Sequence, residues 1–182
     1  MARLPYLDEK DLSDENKNLL KRPINLHRAL VHSPEGARAF GGIGTWIRYG
    51  AKIDPKLREL AILQVGWLAK SDYEWSHHVK IGKDFGLDDG DIEAVKQETA
   101  GQTSSLSPLY RSALKGAREM VEDGAMAAET YAEIATELDH EKMVELIMVI
   151  AFYCGVVRLL ESLGIDVEAS YQPHLDDHPF SN

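Results

Sequence analysis

Glu59, Glu74 and His78 are the residues whose types and spacing suit acid–base chemistry. Glu74 and His78 are four apart, so an α-helix presents them on one face, which continues through Ile81, Gly82 and Phe85 and is otherwise apolar. Glu59 heads a second apolar stripe, with Ile62, Leu63 and Gly66 following at i+3, i+4 and i+7. A carboxylate aimed into such a stripe must be paired, hydrogen-bonded or protonated, because desolvation penalises its charged form. It can then give or take a proton near neutral pH, and an imidazole is its natural partner. His77 shares its face with Tyr73, Lys80 and Asp84, which predicts a solvated position and leaves His78 as the inward imidazole. Beside the three candidate catalytic groups, Tyr73, Ser71 and His77 are candidate substrate contacts.

A plainer reading stands next to this one. The Glu74/His78 spacing also fits an intrahelical contact worth ~0.2 to 0.5 kcal/mol on a surface helix. Glu59 also fits a buried structural ion pair, to Arg58 of a second copy or to Arg158.

The elements that must hold these groups are helices. Asp54-Pro55, Ser107-Pro108 and Ser33-Pro34 each read as an N-cap followed by proline at the first helical position, where its missing N–H costs nothing. No alternating strand pattern or Asn-Gly hairpin turn appears, so the fold is expected to be all-α. Periodicity places about eight helices near 11–21, 34–48, 55–69, 72–85, 89–99, 108–123, 128–138 and 140–163. Gly86 and Gly164 follow two of these where a left-handed residue would close a helix. The stretches 60–69 and 146–157 are apolar almost all round, which predicts two central buried helices. If the third and fourth helices form an antiparallel hairpin through Lys70-Ser71, Glu59 approaches the Glu74/His78 face provided that their turns overlap in height.

At 182 residues one domain is expected, with the core motif in 55–99, a polar linker at 100–106, a C-terminal helical half at 107–165 and a tail at 166–182. The formal charge of -10 argues against a nucleic-acid surface, which needs clustered Lys and Arg. The apolar run 146–160 is broken at Arg158, so no membrane span is expected, and the acidic start lacks the apolar core of a secretory signal. The single cysteine, Cys154, sits among apolar neighbours and predicts an inert thiol in a reducing cytoplasm. Glu74 and His77 match half of a di-iron helix motif, but one such pair does not make a centre. No metal or cofactor is expected. His174 and His178 are expected in a mobile tail.

The strings Arg58 to Leu63, Tyr73 to His78 and Gly86 to Val95 resemble the core motif of the carboxymuconolactone decarboxylase and AhpD-like superfamily, and the likeness extends over roughly residues 24–171. The resemblance implies an AhpD-like helical bundle around a central antiparallel hairpin. AhpD-type members carry C-x-x-C, a histidine four residues later and a relay glutamate on the preceding helix; these positions fall at Ser71, Glu74, His78 and Glu59. Neither cysteine is present, so thiol-based peroxide reduction of that type is disfavoured. The decarboxylase branch also lacks the pair and implies cofactor-independent lyase or isomerase chemistry on a small carboxylated or lactone substrate, with Glu59, Glu74 and His78 moving protons. The resemblance also implies a homo-oligomer: dimer, trimer or hexamer. Two other readings stay open: a non-catalytic oligomeric binding protein, and a thiol antioxidant using Cys154.

Overall fold

The computed structural model describes residues 2–180, and among these it contains helices and no strand. Two 3-10 turns, Glu9–Asp11 and Lys17–Leu20, precede nine α-helices: α1 (Asn25–Leu30), α2 (Pro34–Tyr49), α3 (Pro55–Leu68), α4 (Asp72–Asp84), α5 (Asp89–Thr99), α6 (Pro108–Glu122), α7 (Ala128–Ile134), α8 (His140–Leu163) and α9 (Gln172–Asp177). The all-α expectation holds, and seven of the eight expected helices lie where the periodicity put them. The exception is 11–21, which is two short 3-10 turns; two short helices, α1 and α9, were not anticipated. At six residues each, they are too short to show a helical period.

Local chemistry explains the starts. Asp54 accepts the Leu57 N–H at 2.9 Å and Ser107 accepts the Tyr110 N–H at 3.4 Å, each ahead of a proline at the first helical position. Ser33 precedes Pro34 but its hydroxyl makes no cap, so α2 starts on proline geometry alone. Gly86 and Gly164 have φ of 96° and 62°, as expected of residues that end helices.

Helix α3 is the pivot. Every residue from Leu57 to Gly66 is buried, and α4, α5, α6 and α8 all pack against it. Each leucine so enclosed contributes roughly 1.5–3 kcal/mol of apolar burial. Gln64, the one polar residue between Leu60 and Gly66, is paired on both sides of the 100–106 segment, donating to Thr99 Oγ1 at 2.8 Å and accepting from Arg118 at 2.9 Å.

Helix α8 departs from the expectation of burial all round. Leu146, Val149, Ile150, Tyr153 and Val157 face the core, while Val144 and Met148 are exposed. By length and composition alone α8 is apolar enough to cross a membrane, but half of its most apolar stretch is packed inside the molecule.

Candidate active site

The α3–α4 connection is a three-residue turn. Lys70 takes a left-handed backbone (φ 50°), the Ser71 N–H bonds to the Gly66 carbonyl at 3.1 Å, and the Lys70 N–H bonds to the Trp67 carbonyl at 3.1 Å. The antiparallel hairpin that results sets its turns at matching heights. At one level Gly66 faces Glu74, whose Cγ would lie 3.4 Å from a Cβ on that glycine; at the other, Gly82 faces Glu59, at 3.6 Å from its Cβ.

Glu59 and His78 therefore meet. Glu59 Oε2 is 2.7 Å from His78 Nδ1, and Glu59 Oε1 accepts from Arg58 Nε at 2.8 Å. Arg58 Nη1 also donates to the carbonyls of Ile47 and Arg48 at 3.3 and 3.2 Å, and its guanidinium lies over the Phe85 ring. The counterion of Glu59 is thus Arg58 of the same chain, not of a second copy, and not Arg158, whose guanidinium bonds to the Cys154 carbonyl.

On the other side of the imidazole, Nε2 is 3.0 Å from Glu74 Oε1, but the contact is not aligned as a hydrogen bond and that oxygen has no hydrogen-bond partner. The helical i,i+4 relation brings the two groups close without aiming the N–H at the oxygen. Nδ1 is held; Nε2 is not.

Burial works against charge on His78, yet Glu74 and Glu59 outweigh it and raise its pKa to about 9. Burial likewise opposes charge on Glu59, and His78 and Arg58 overcome it and lower its pKa. Arg58, Glu59, His78 and Glu74 thus form a buried chain in which basic and acidic groups alternate. Tyr153 from α8 packs edge-on to the imidazole at 4.9 Å, and burial beside the two carboxylates pushes its pKa well up, so it remains a phenol.

A cavity of about 570 Å³ adjoins this chain, lined by Glu74, His78, Tyr73 and His77 from α4, Phe152 and Tyr153 from α8, and parts of α1 and α2. Its volume lies in the small-molecule range. The exposed Tyr49 also lines it, so the cavity meets the surface. Glu59 and Arg58 are not among its walls: they stand behind His78. Ser71 does not line it either; its hydroxyl is fully buried at the turn without a hydrogen-bond partner. Among the described residues no group of three His, Cys, Asp or Glu side chains is arranged to hold a metal ion.

His77 differs from the expectation of a solvated face. It is buried, stacked between Tyr73 (4.1 Å between ring centres) and Tyr171 (3.5 Å), with Nε2 2.7 Å from Glu168. Burial lowers its pKa despite that carboxylate, so a neutral ring donates to Glu168. The expected mobile tail is the reason: α9 and its flanks cover this face of α4, with the Trp75 indole donating to the His178 carbonyl at 2.7 Å and Phe180 stacked on Trp67. The cationic members of the cavity wall, Arg22 ahead of α1 and Arg48 near the end of α2 among them, were not expected from sequence, since a single arginine in a bend or on an amphipathic helix carries no distinctive spacing.

Residues 34–118, which contain the hairpin with Arg58, Glu59, Glu74 and His78, match the model of the carboxymuconolactone decarboxylase family. The match covers just under half of the chain, and the chain as a whole has the AhpD-like fold. Among curated proteins none matches the sequence significantly. Among solved structures, an uncharacterized peroxidase-related protein with an AhpD core from Ralstonia eutropha JMP134 superposes with a TM-score of 0.80 at 15% identity, over 93% of this chain and 94% of that one. A cysteine-to-alanine variant of the debrominase Bmp8, in complex with 2,3,4-tribromopyrrole, superposes with a TM-score of 0.80 at 21% identity, over 97% and 99% of the two chains. A putative antioxidant defence protein AhpD from Agrobacterium tumefaciens gives 0.68 at 14% identity, over 78% and 96%. At such identities these likenesses establish the fold; the chemistry must be argued from this chain's own site.

Proposed function

We propose that this chain is a cofactor-independent, carboxymuconolactone decarboxylase-like enzyme, a lyase or isomerase in type, that moves a proton on a small carboxylated or lactone substrate. The observation that carries the reading is His78: an imidazolium at neutral pH, fixed at Nδ1 by Glu59, with Nε2 left on the side of the cavity. A positioned acid of this kind contributes typically ~10²–10⁴-fold to a proton transfer.

In the lyase form, the bond between a substrate carbon and its carboxylate breaks and CO₂ leaves, while the electron pair moves into the neighbouring lactone carbonyl as an enolate. His78 faces that developing charge, and its Nε2–H then passes to the carbon; the imidazole regains a proton from solvent. In the isomerase form Glu74 takes a proton from one substrate carbon and the His78 Nε2–H gives its own proton to another; the proton on Glu74 then passes to the vacated Nε2, 3.0 Å away, which restores both groups. Tyr73 has its hydroxyl engaged by Glu168 and by the Leu26 N–H, and contributes a fixed wall rather than a proton.

A thiol mechanism has less support. Cys154 does not line the cavity, and burial raises its pKa, opposite to what a reactive thiol needs. Self-association remains part of the proposal: α8 leaves Val144 and Met148 on the surface, and the molecular mass in solution tests it.

The deciding experiment is turnover of a panel of small carboxylated lactones by the purified protein and by its His78→Gln variant, following CO₂ release and isomer formation separately. Turnover that disappears in a folded His78→Gln protein supports the reading. Full activity in that variant removes His78 from the mechanism, and no turnover of any lactone by the parent protein favours a binding role.

A further inference from the structure

The cavity is charged opposite to the molecule that contains it. The chain has 30 acidic residues against 20 Lys and Arg, yet the cavity wall has one carboxylate, Glu74, against Lys21, Arg22, Arg38 and Arg48. Glu74 is already paired with His78, at 3.0 Å. The unbalanced charge on the wall is therefore positive.

The four cations are not equivalent. Arg38 is bound to Glu35 and to Asn16. Arg22 gives one hydrogen bond to a neutral group, the Tyr171 hydroxyl, at 3.1 Å. Among the described residues the Arg48 guanidinium meets no carboxylate and donates no hydrogen bond, although it is only half-exposed. Arg22 and Arg48 line the same cavity as His27, whose pKa is lowered first by burial and then, against its bond to the Arg22 carbonyl, by Arg22, Arg48 and His77. An arginine in the last turn of a helix has an ordinary use against the helix dipole, worth ~0.3–1 kcal/mol. That use does not require it to face a cavity between aromatic rings.

Its position is also registered to the relay. Arg58 holds Glu59 through Nε and the carbonyls of Ile47 and Arg48 through Nη1, so one buried guanidinium fixes both the proton-transfer pair and the end of α2 from which Arg48 extends.

We propose that Arg48, assisted by Arg22, is the subsite for the anionic group, a carboxylate or phenolate, of a small ligand whose apolar body lies against Phe40, Phe152 and Tyr153 and whose reacting end meets His78. The inference deepens the proposed function and rests on it only for treating the ligand as a substrate.

Matched pairs of carboxylates and their neutral carboxamides test it: benzoate with benzamide, 4-hydroxybenzoate with its amide, and 5-oxotetrahydrofuran-2-carboxylate with its amide, each titrated calorimetrically at neutral pH. The expected result is that at least one carboxylate binds about tenfold or more tightly than its amide, as a charge-assisted hydrogen bond implies. Arg48→Gln should abolish that preference while leaving amide affinity and thermal unfolding unchanged, and Arg48→Lys should keep part of it. Equal affinities within every pair, no binding of any carboxylate at millimolar concentration, or a preference that survives Arg48→Gln each overturns it. If carboxylates bind through Arg48 but no lactone is turned over, the proposed reaction fails and the subsite stands; turnover without a charge preference is the reverse.

Discussion

Glu59 Oε2 lies 2.7 Å from Nδ1 of His78, yet Glu59 has no place on the cavity that His78 lines. Its influence on a ligand must pass through the imidazole, which makes it a positioning residue. Glu59→Gln removes one of the two charges that raise the His78 pKa, so the titration midpoint of His78 should fall from about 9 toward its ordinary value. Turnover at neutral pH should fall about tenfold per unit of that shift once the midpoint passes below the assay pH, with little change in KM. An unchanged midpoint in an NMR titration of the His78 ring would remove Glu59 from this role.

Stability should depend on pH through the same pair. The folded pKa of His78 lies above its ordinary 6.5, so the stabilisation it contributes is fully present below 6.5 and is lost as pH rises toward about 9. Glu59 is shifted the other way, so its contribution is present above the ordinary carboxylate value and is lost as pH falls through its lowered one. Urea midpoints should therefore decline from near neutral to alkaline pH, and His78→Gln should flatten that decline. A parent protein as stable at pH 9.5 as at neutral pH would contradict the charged pair; activity requiring the imidazolium should fade over the same alkaline range.

Lys70 occupies a left-handed position that ordinarily suits glycine. A non-glycine residue pays roughly 1–2 kcal/mol there, offset in part by the extra chain freedom glycine has when unfolded. Lys70→Gly should be neutral to stabilising by up to ~1 kcal/mol in chemical unfolding; a clear loss of stability would mean that the Lys70 side chain itself holds the turn.

Glu168 accepts the Asn25 N–H at 2.5 Å, the Tyr73 hydroxyl at 3.1 Å and His77 Nε2 at 2.7 Å, joining the chain's end to α1 and α4. Glu168→Ala leaves those donors without their acceptor and should cost at least ~2 kcal/mol in urea unfolding. It should also expose His77, whose reactivity toward diethyl pyrocarbonate would rise; unchanged labelling would show that the stacking of Tyr73 and Tyr171 suffices.

Cys154→Ser should leave turnover intact, because the thiol is outside the cavity. Loss of activity in a folded variant would restore the thiol reading.

Much of this was legible in the chain. Proline after a capping residue marked the starts of α2, α3 and α6, and the all-apolar run in α3 announced its central place. The i,i+4 spacing put Glu74 beside His78, and the apolar stripe after Glu59 required that carboxylate to find a partner. His77 was misread for an equally physical reason. Tyr73, Lys80 and Asp84 look like a solvated face when a helix is considered alone, and what covers that face comes from almost a hundred residues later.

The sequence by itself determined the seven longer helices, the caps of α3 and α6 and the burial of Glu59, since periodicity, capping and apolar surroundings are local consequences of residue type. The tertiary structure alone decided that Glu59 meets Nδ1 and not Nε2, that Arg58 rather than a distant arginine balances it, and that Glu74 and not Glu59 reaches the cavity. It also decided that four cations from two segments, Lys21 and Arg22 ahead of α1 and Arg38 and Arg48 on α2, share one wall with a single carboxylate. Such relations depend on the height at which two helices cross and on what a tail happens to cover, to within about an ångström. Packing of distant side chains fixes them, and no local pattern encodes it.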